Sequence, residues 1–182
     1  MDSKDFDEFV KHQQEGAAVA VSVDWDKQRD EWLAALNALY AKVESLLHKY
    51  VSSGQIRFAY QTVELTEEYL GSYSAKQMSL RIGRQEVLLV PKGTLFIGIK
   101  GRVDVVGPAG QAEIFLVDKR ASGPASLVHV SFGIGGKLPA APIESPPKIE
   151  WEWKIVTRPP ERRFVDITQQ SLFQLIMEVA NG

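Results

Sequence analysis

Lys100, Arg102 and Asp104 fall within five residues of one another in the segment LFIGIKGRVDVV. Two cations and a carboxylate so close can grip an anionic group or hold a charge pair beside a cleft. In an extended chain successive side chains alternate between faces. Arg102 and Asp104 then share one face, while Val103 and Val105 turn inward. The pair is expected to meet on a sheet, and Lys100, Arg102 and Asp104 together are the ligand- or partner-binding candidate of this chain.

Glycine crowds the same region, with five between Pro91 and Gly110. A phosphate loop of the form G-x-x-x-x-G-K-[ST] is absent, because Ser131 and Leu138 occupy its first and last places around Gly136–Lys137. A dinucleotide loop fails where Leu138 follows Gly133 and Gly135. Gly98-Ile99-Lys100-Gly101 resembles, over about five residues, the GXXG loop with which KH domains clamp single-stranded nucleic acid. That loop joins two helices, whereas TLFIGI precedes the motif here and β-branched Val103, Val105 and Val106 follow it. The conformational reading accounts for the glycines better. Pro91–Lys92–Gly93 and Gly107–Pro108–Ala109–Gly110 read as turns. Gly98 and Gly101 mark a bend or a close approach of backbone within a strand, with a turn at Lys100–Gly101 as the alternative.

Other chemistry is sparse. The chain has no cysteine, which removes disulfides, thiolate nucleophiles, iron–sulfur clusters and cysteine-held zinc. His12, His48 and His129 stand at no metal-ligand spacing, and no EF-hand loop is present. Glu150 and Glu152 share a strand face about 7 Å apart, a separation open to acid–base chemistry, but Lys154 continues the row as an ordinary wet surface would. No G-x-S-x-G elbow occurs. No catalytic residue, metal or cofactor is expected.

The elements that must carry these residues can be read from periodicity. Phe6, Phe9 and Val10 make a short helical stripe over about 3–14, closed by Gly16. Asp24 caps a long helix over about 25–52, stopped by Gly54. Its apolar positions Trp32, Leu36, Leu39, Val43, Leu46 and Tyr50 alternate at four and three, and Leu33, Tyr40 and Leu47 broaden the stripe. That breadth suits the core face of a helix on a sheet, with a homodimer through the long helix as the alternative. Strands follow within 55–166. Ile56, Phe58 and Tyr60 alternate, then Val63 and Leu65 in the opposite phase, which predicts a bulge near Gln61–Thr62. Met78, Leu80 and Ile82 alternate into a tight turn at Gly83–Arg84, and EVLLV and IFLV read as central strands. Val128, Val130 and Phe132 alternate again. In KIEWEWKIVT, Ile149, Trp151, Trp153 and Ile155 face inward while Glu150, Glu152 and Lys154 face water. Gly133–Lys148 reads as a long loop rich in proline and glycine, and Pro159–Pro160 as a shorter one. A last helix over about 168–180 is capped by Thr168 and buries Leu172, Leu175, Ile176 and Val179.

The fold expected is a single α+β domain over 1–182. A curved antiparallel β-meander is covered on one face by a long N-terminal helix and a C-terminal helix. Net charge is −2, divided as nine acids against four bases in residues 1–40 and fourteen against seventeen beyond, so no polyanion partner is implied. No apolar run approaches the ~20 residues that cross a bilayer, and the acidic start lacks a secretory pattern. The sequence therefore points to a non-catalytic protein-interaction module of the bacterial cytoplasm: an adaptor, inhibitor or immunity-like protein with a protein partner. The alternative is a small-ligand binder or minor hydrolase with a site between the sheet and the 133–148 loop.

Overall fold

The structure, a computed structural model, describes residues 3–94, 98–127 and 148–181, without the side chains of residues 3 and 15–22. Three helices come first, α1 (Ser3–Ser22), α2 (Trp25–Leu46) and α3 (His48–Ser52). Seven strands follow: β1 (Ile56–Glu67), β2 (Gly71–Ile82), β3 (Gln85–Gly93), β4 (Gly101–Gly107), β5 (Gly110–Asp118), β6 (Trp151–Val156) and β7 (Phe164–Asp166). Helix α4 (Gln169–Asn181) closes the chain. The strands form one open antiparallel sheet in the order β1-β2-β3-β4-β5-β6-β7, and α2 and α4 pack on it, an α+β domain as the periodicity predicts.

Asp24 starts α2 as expected, its carboxylate accepting from the Lys27 N–H at 3.0 Å. Trp32, Leu36, Leu39, Tyr40 and Val43 are buried, so the broad stripe is spent on the chain's own sheet. The long helix does not run unbroken to residue 52. It breaks at Leu47, whose backbone (φ −98°, ψ 5°) is no longer helical and which is buried; α3 then runs from His48 to Ser52, and the chain turns at Gly54, where φ is +76°. Helix α1 also departs from expectation by passing through Gly16 to Ser22. One interior glycine costs about 1 kcal/mol relative to alanine, which the alanine-rich turn that follows can offset.

Gly83–Arg84 is the two-residue turn of the β2–β3 hairpin, with Gly83 at φ +60°. Pro108–Ala109 connects β4 to β5, pairing Gly107 with Gly110. Pro91–Lys92–Gly93 is not a turn. β3 continues through it and pairs Pro91 with Val103 and Gly93 with Arg102, leaving Lys92 as the extra residue of a bulge. The bulge expected at Gln61–Thr62 is absent, since β1 and β2 pair without a break from Ile56↔Ile82 to Glu67↔Gly71. Both strands nevertheless change phase together: Tyr73 and Ala75 are buried at one end of β2, Met78 and Leu80 at the other. β3 pairs only with residues 78–82 of β2, so the rest of the hairpin is a two-stranded arm. Such ribbons twist strongly, and here the twist turns opposite faces of the arm toward the core. Glu67 fastens the arm to the end of β3 by accepting from the Thr94 N–H and hydroxyl, both at 2.9 Å, and from the Tyr73 hydroxyl.

The helical face of the sheet carries the main core. Trp32 and Trp153 lie 5.9 Å apart between ring centroids, and the Trp153 indole N–H donates to the Ala35 carbonyl at 2.8 Å. Tyr40 donates to the Lys76 carbonyl at 2.6 Å. The opposite face is not uniformly wet, contrary to the alternation of KIEWEWKIVT. A second cluster of Phe115, Val117, Ala121, Val156 and Phe164 lies there, with Ile99 and Leu127 against it. Lys154 is buried on this face, its ammonium donating to the Lys119 and Ala121 carbonyls at 2.8 and 3.2 Å and lying 3.4 Å from Asp166. Conversely, Ile149 and Trp151, expected inside, are 47% and 39% exposed, because β6 meets the core only from Trp153 onward. The strand expected at Val128–Phe132, His129 and all but the last residue of the 133–148 loop lie outside the described residues.

Gly101 shows why β4 can lie so near α2. A Cβ there would stand 2.3 Å from the Trp32 ring. Gly101→Ala is expected to lower the unfolding free energy by about 1–3 kcal/mol through overpacking. Urea denaturation followed by tryptophan fluorescence checks this, and an unmoved midpoint would mean that Trp32 does not rest on that backbone.

Candidate functional site

The tight β4–β5 hairpin determines what meets Asp104. With Gly107 opposite Gly110, the register sets Asp104 across from Glu113 and Val106 across from Gln111. Arg102, Asp104, Gln111 and Glu113 therefore share the face away from the helices, by the alternation of both strands. Arg102 reaches Asp104 through Nε at 2.7 Å and a second guanidinium nitrogen at 3.1 Å, so the pair expected from the sequence forms and is bidentate. Asp104 is 1% exposed and also accepts from the Gln111 amide at 2.7 Å, with Lys92 Nζ at 3.9 Å. Arg102 extends to Glu113 at 2.9 Å, and Arg162, just after Pro159–Pro160, approaches the same carboxylate at 3.5 Å. The hydrogen bond to Asp104 is the main cause holding the Arg102 guanidinium more firmly protonated than usual.

This network is a satisfied one. A carboxylate that receives two guanidinium bonds and an amide is fully engaged, so Asp104 holds Arg102 in place. Beside it, Gln111, Glu113, Thr157, Arg158 and Arg162 line a shallow cleft of about 230 Å³. Arg158 and Arg162 are about half exposed at its edge. Such a rim suits contact with an acidic group.

Lys100 does not join Arg102 and Asp104. It lies before the start of β4 and reaches the helical side, where Nζ donates to Glu31 of α2 at 2.8 Å and sits 5.3 Å from the centre of the Trp151 ring. Its backbone N–H donates to the Leu116 carbonyl. The GIKG segment thus leads into a strand and joins no helices: Gly98 is a turn residue at φ +73° and Gly101 opens β4. Glu150 and Glu152 do not form a carboxylate pair in a cleft. Glu150 is 72% exposed and near Lys119, and it precedes β6. Among the described residues, no group of three or more histidine, aspartate or glutamate side chains could hold a metal ion. Glu113 and Gln111 were missed by reading β4 alone, although the two-residue turn after it implies their register. Arg162 comes from a loop that no periodicity places.

A second surface is apolar. Leu47 and Tyr50, Ile56 and Ile82 of the β1–β2 hairpin, and Phe173, Ile176 and Met177 of α4 line an open groove of about 350 Å³. Met177 is 58% exposed at its edge. Helix α1 carries another exposed apolar group: Phe6, Phe9 and Val10 are 60%, 56% and 36% exposed, with the two rings 6.3 Å apart. No helix among the described residues is long and apolar enough to cross a membrane. Comparison with known protein families, curated proteins and solved structures finds no match.

The Lys100–Glu31 pair has a definite pH signature. The Lys100 hydrogen bond, and then its charge, hold the Glu31 carboxyl below its ordinary value of 4.5. A carboxylate depressed in the folded state contributes stability above its unfolded pKa and loses it as the pH falls through the folded value. Glu31 is 40% exposed, so the contribution is under about 1 kcal/mol. The stability gap between the parent and Glu31→Gln is expected at about pH 6 and should close as the pH is lowered toward about 3. Urea titrations at the two pH values measure it, and a gap independent of pH would refute the pairing.

Proposed function

We propose that this chain is a cytoplasmic, non-catalytic protein-interaction module whose contact element is α1. The observation that carries the reading is the exposed triad of Phe6, Phe9 and Val10, spaced i, i+3 and i+4 on one side of a helix outside both core clusters. An amphipathic helix laid into an apolar groove is anchored by that spacing. Burying each phenylalanine contributes about 1.5–3 kcal/mol, enough for two rings to dominate a modest interface. The satisfied state of the Arg102–Asp104 network supports the same reading, since its charged groups are engaged with one another. Replacing both Phe6 and Phe9 by serine should leave domain stability within about 0.5 kcal/mol, as for exposed positions. Retention of a stoichiometric protein on the immobilised chain, whether another protein or an untagged copy of this one, should fall at least about tenfold, a loss of ~1.4 kcal/mol or more. Retention that survives both changes would remove α1 from the interface.

A second reading, a small-ligand-binding protein or minor hydrolase, draws on the cleft at Arg158 and Arg162. Small dicarboxylates or phosphate should then raise the melting temperature of the parent but not of Arg162→Ala. No rise with either would end this reading.

A further inference from the structure

Arg158 lines two clefts. Besides the one it shares with Arg162, it borders a cavity of about 180 Å³ between α4 and the β6–β7 edge of the sheet. That is the volume of roughly six waters at ~30 Å³ apiece. Ile155 and Leu175 are buried at its floor, and Val165, paired with Ile155 across the two strands, is 38% exposed at its wall. Arg158, Gln174 and Glu178 stand at its mouth, with the arginine and glutamate side chains 53% and 39% exposed.

Arg158 and Glu178 are the charged side chains of this lining, and they face each other without closing. Arg158 Nε stands 3.8 Å from one Glu178 oxygen, and the Gln174 amide donates to the other at 3.4 Å. Well-formed bonds of this kind fall at about 2.7–3.2 Å, the range that Arg102 and Asp104 reach. The hydroxyls of the lining are already spent. Thr157 donates to the Glu161 carbonyl at 2.8 Å, and Ser171 to the Asp166 carbonyl at 2.7 Å. An exposed pair held so loosely contributes little to stability, so a ligand that parts it loses little. An anion alone would meet Arg158 but lie against Glu178, and a cation alone would meet Glu178 but lie against Arg158. A molecule that carries both charges on neighbouring groups satisfies both.

We infer that the cavity between α4 and the β6–β7 edge binds a free α-amino acid with an aliphatic side chain. Its carboxylate takes the Arg158 guanidinium, whose planar fork fits two carboxylate oxygens. Its ammonium donates to the Glu178 carboxylate. Its side chain lies on Ile155, Val165 and Leu175, which supply apolar surface and no polar atom. The inference rests on the small-ligand reading and gives that reading a ligand class, in a cavity that Arg162 does not line.

Isothermal titration calorimetry of the full-length chain with L-valine, L-leucine and L-isoleucine tests this. At least one of them should bind. The analogue of the best binder that lacks its ammonium, and the one that lacks its carboxylate, should each bind at least about tenfold more weakly. Glycine, which has no side chain to lay on the floor, should also bind more weakly. Arg158→Gln and Glu178→Gln should each weaken binding by a similar factor, with urea midpoints close to the parent's because both side chains are largely exposed. The analogue series is run on the parent, so it decides the matter even where a variant fails to fold. No binding of any of the three amino acids at about 10 mM, a concentration at which even millimolar affinity registers, overturns the inference. So does equal affinity for an analogue lacking one charge, or binding that persists in both variants. Phosphate and small dicarboxylates test the Arg162 cleft separately. If they bind and the amino acids do not, the small-ligand reading stands and only this ligand class falls; if the amino acids bind and the anions do not, the Arg162 cleft is ruled out as the site.

Discussion

The indole of Trp32 lies directly against the backbone of Gly101, and the rest of the molecule is arranged around that contact. Any side chain at position 101 would enter the ring. Without one, α2 settles close enough for Trp153 to stack at an angle beside Trp32 and to hydrogen-bond the Ala35 carbonyl. Close packing of this kind transmits position, because an interior at crystal-like density has no slack to absorb a displaced helix. The same contact divides the candidate residues. Lys100, just before Gly101, is drawn to Glu31 on the helix. Arg102, just after it, begins the opposite face of β4.

That opposite face is held by charge. Asp104 lies nearly out of water, where an unpaired carboxylate would cost several kcal/mol. Arg102, Gln111 and Lys92 converge on it, and Glu113 and Arg162 continue the chain of charges outward. Lys154 solves the same problem further along the sheet with two backbone carbonyls and Asp166. The charged groups of this face are thus engaged with one another.

Among the described residues, neither core cluster includes a side chain of α1. The clusters draw on α2, the sheet, α4 and the segments beside them, while the apolar stripe of α1 stays in water. Exposed apolar groups gathered on one helix face suit contact with an apolar groove of a partner.

Much of this architecture can be read from local pattern alone. The cap at Asp24, the stripe from Trp32 to Val43, the Gly83–Arg84 turn and the buried face of α4 all follow from periodicity and turn chemistry, because each depends on neighbours within a few residues. So does the pairing of Arg102 with Asp104, which alternation on one strand suffices to place. What depended on distant chain was decided by tertiary structure. The phase change in β1 reads as a bulge but belongs to a two-stranded ribbon paired without a break, and only the partner strand shows the difference. Lys154 fits a wet row by alternation, yet the segment 119–121 folds over it. Lys100 stands beside Arg102 in sequence and is parted from it by a helix that begins some seventy residues earlier. Local propensity specifies the pieces and their faces; which face is covered, and by what, is settled by contacts whose partners are far apart along the chain.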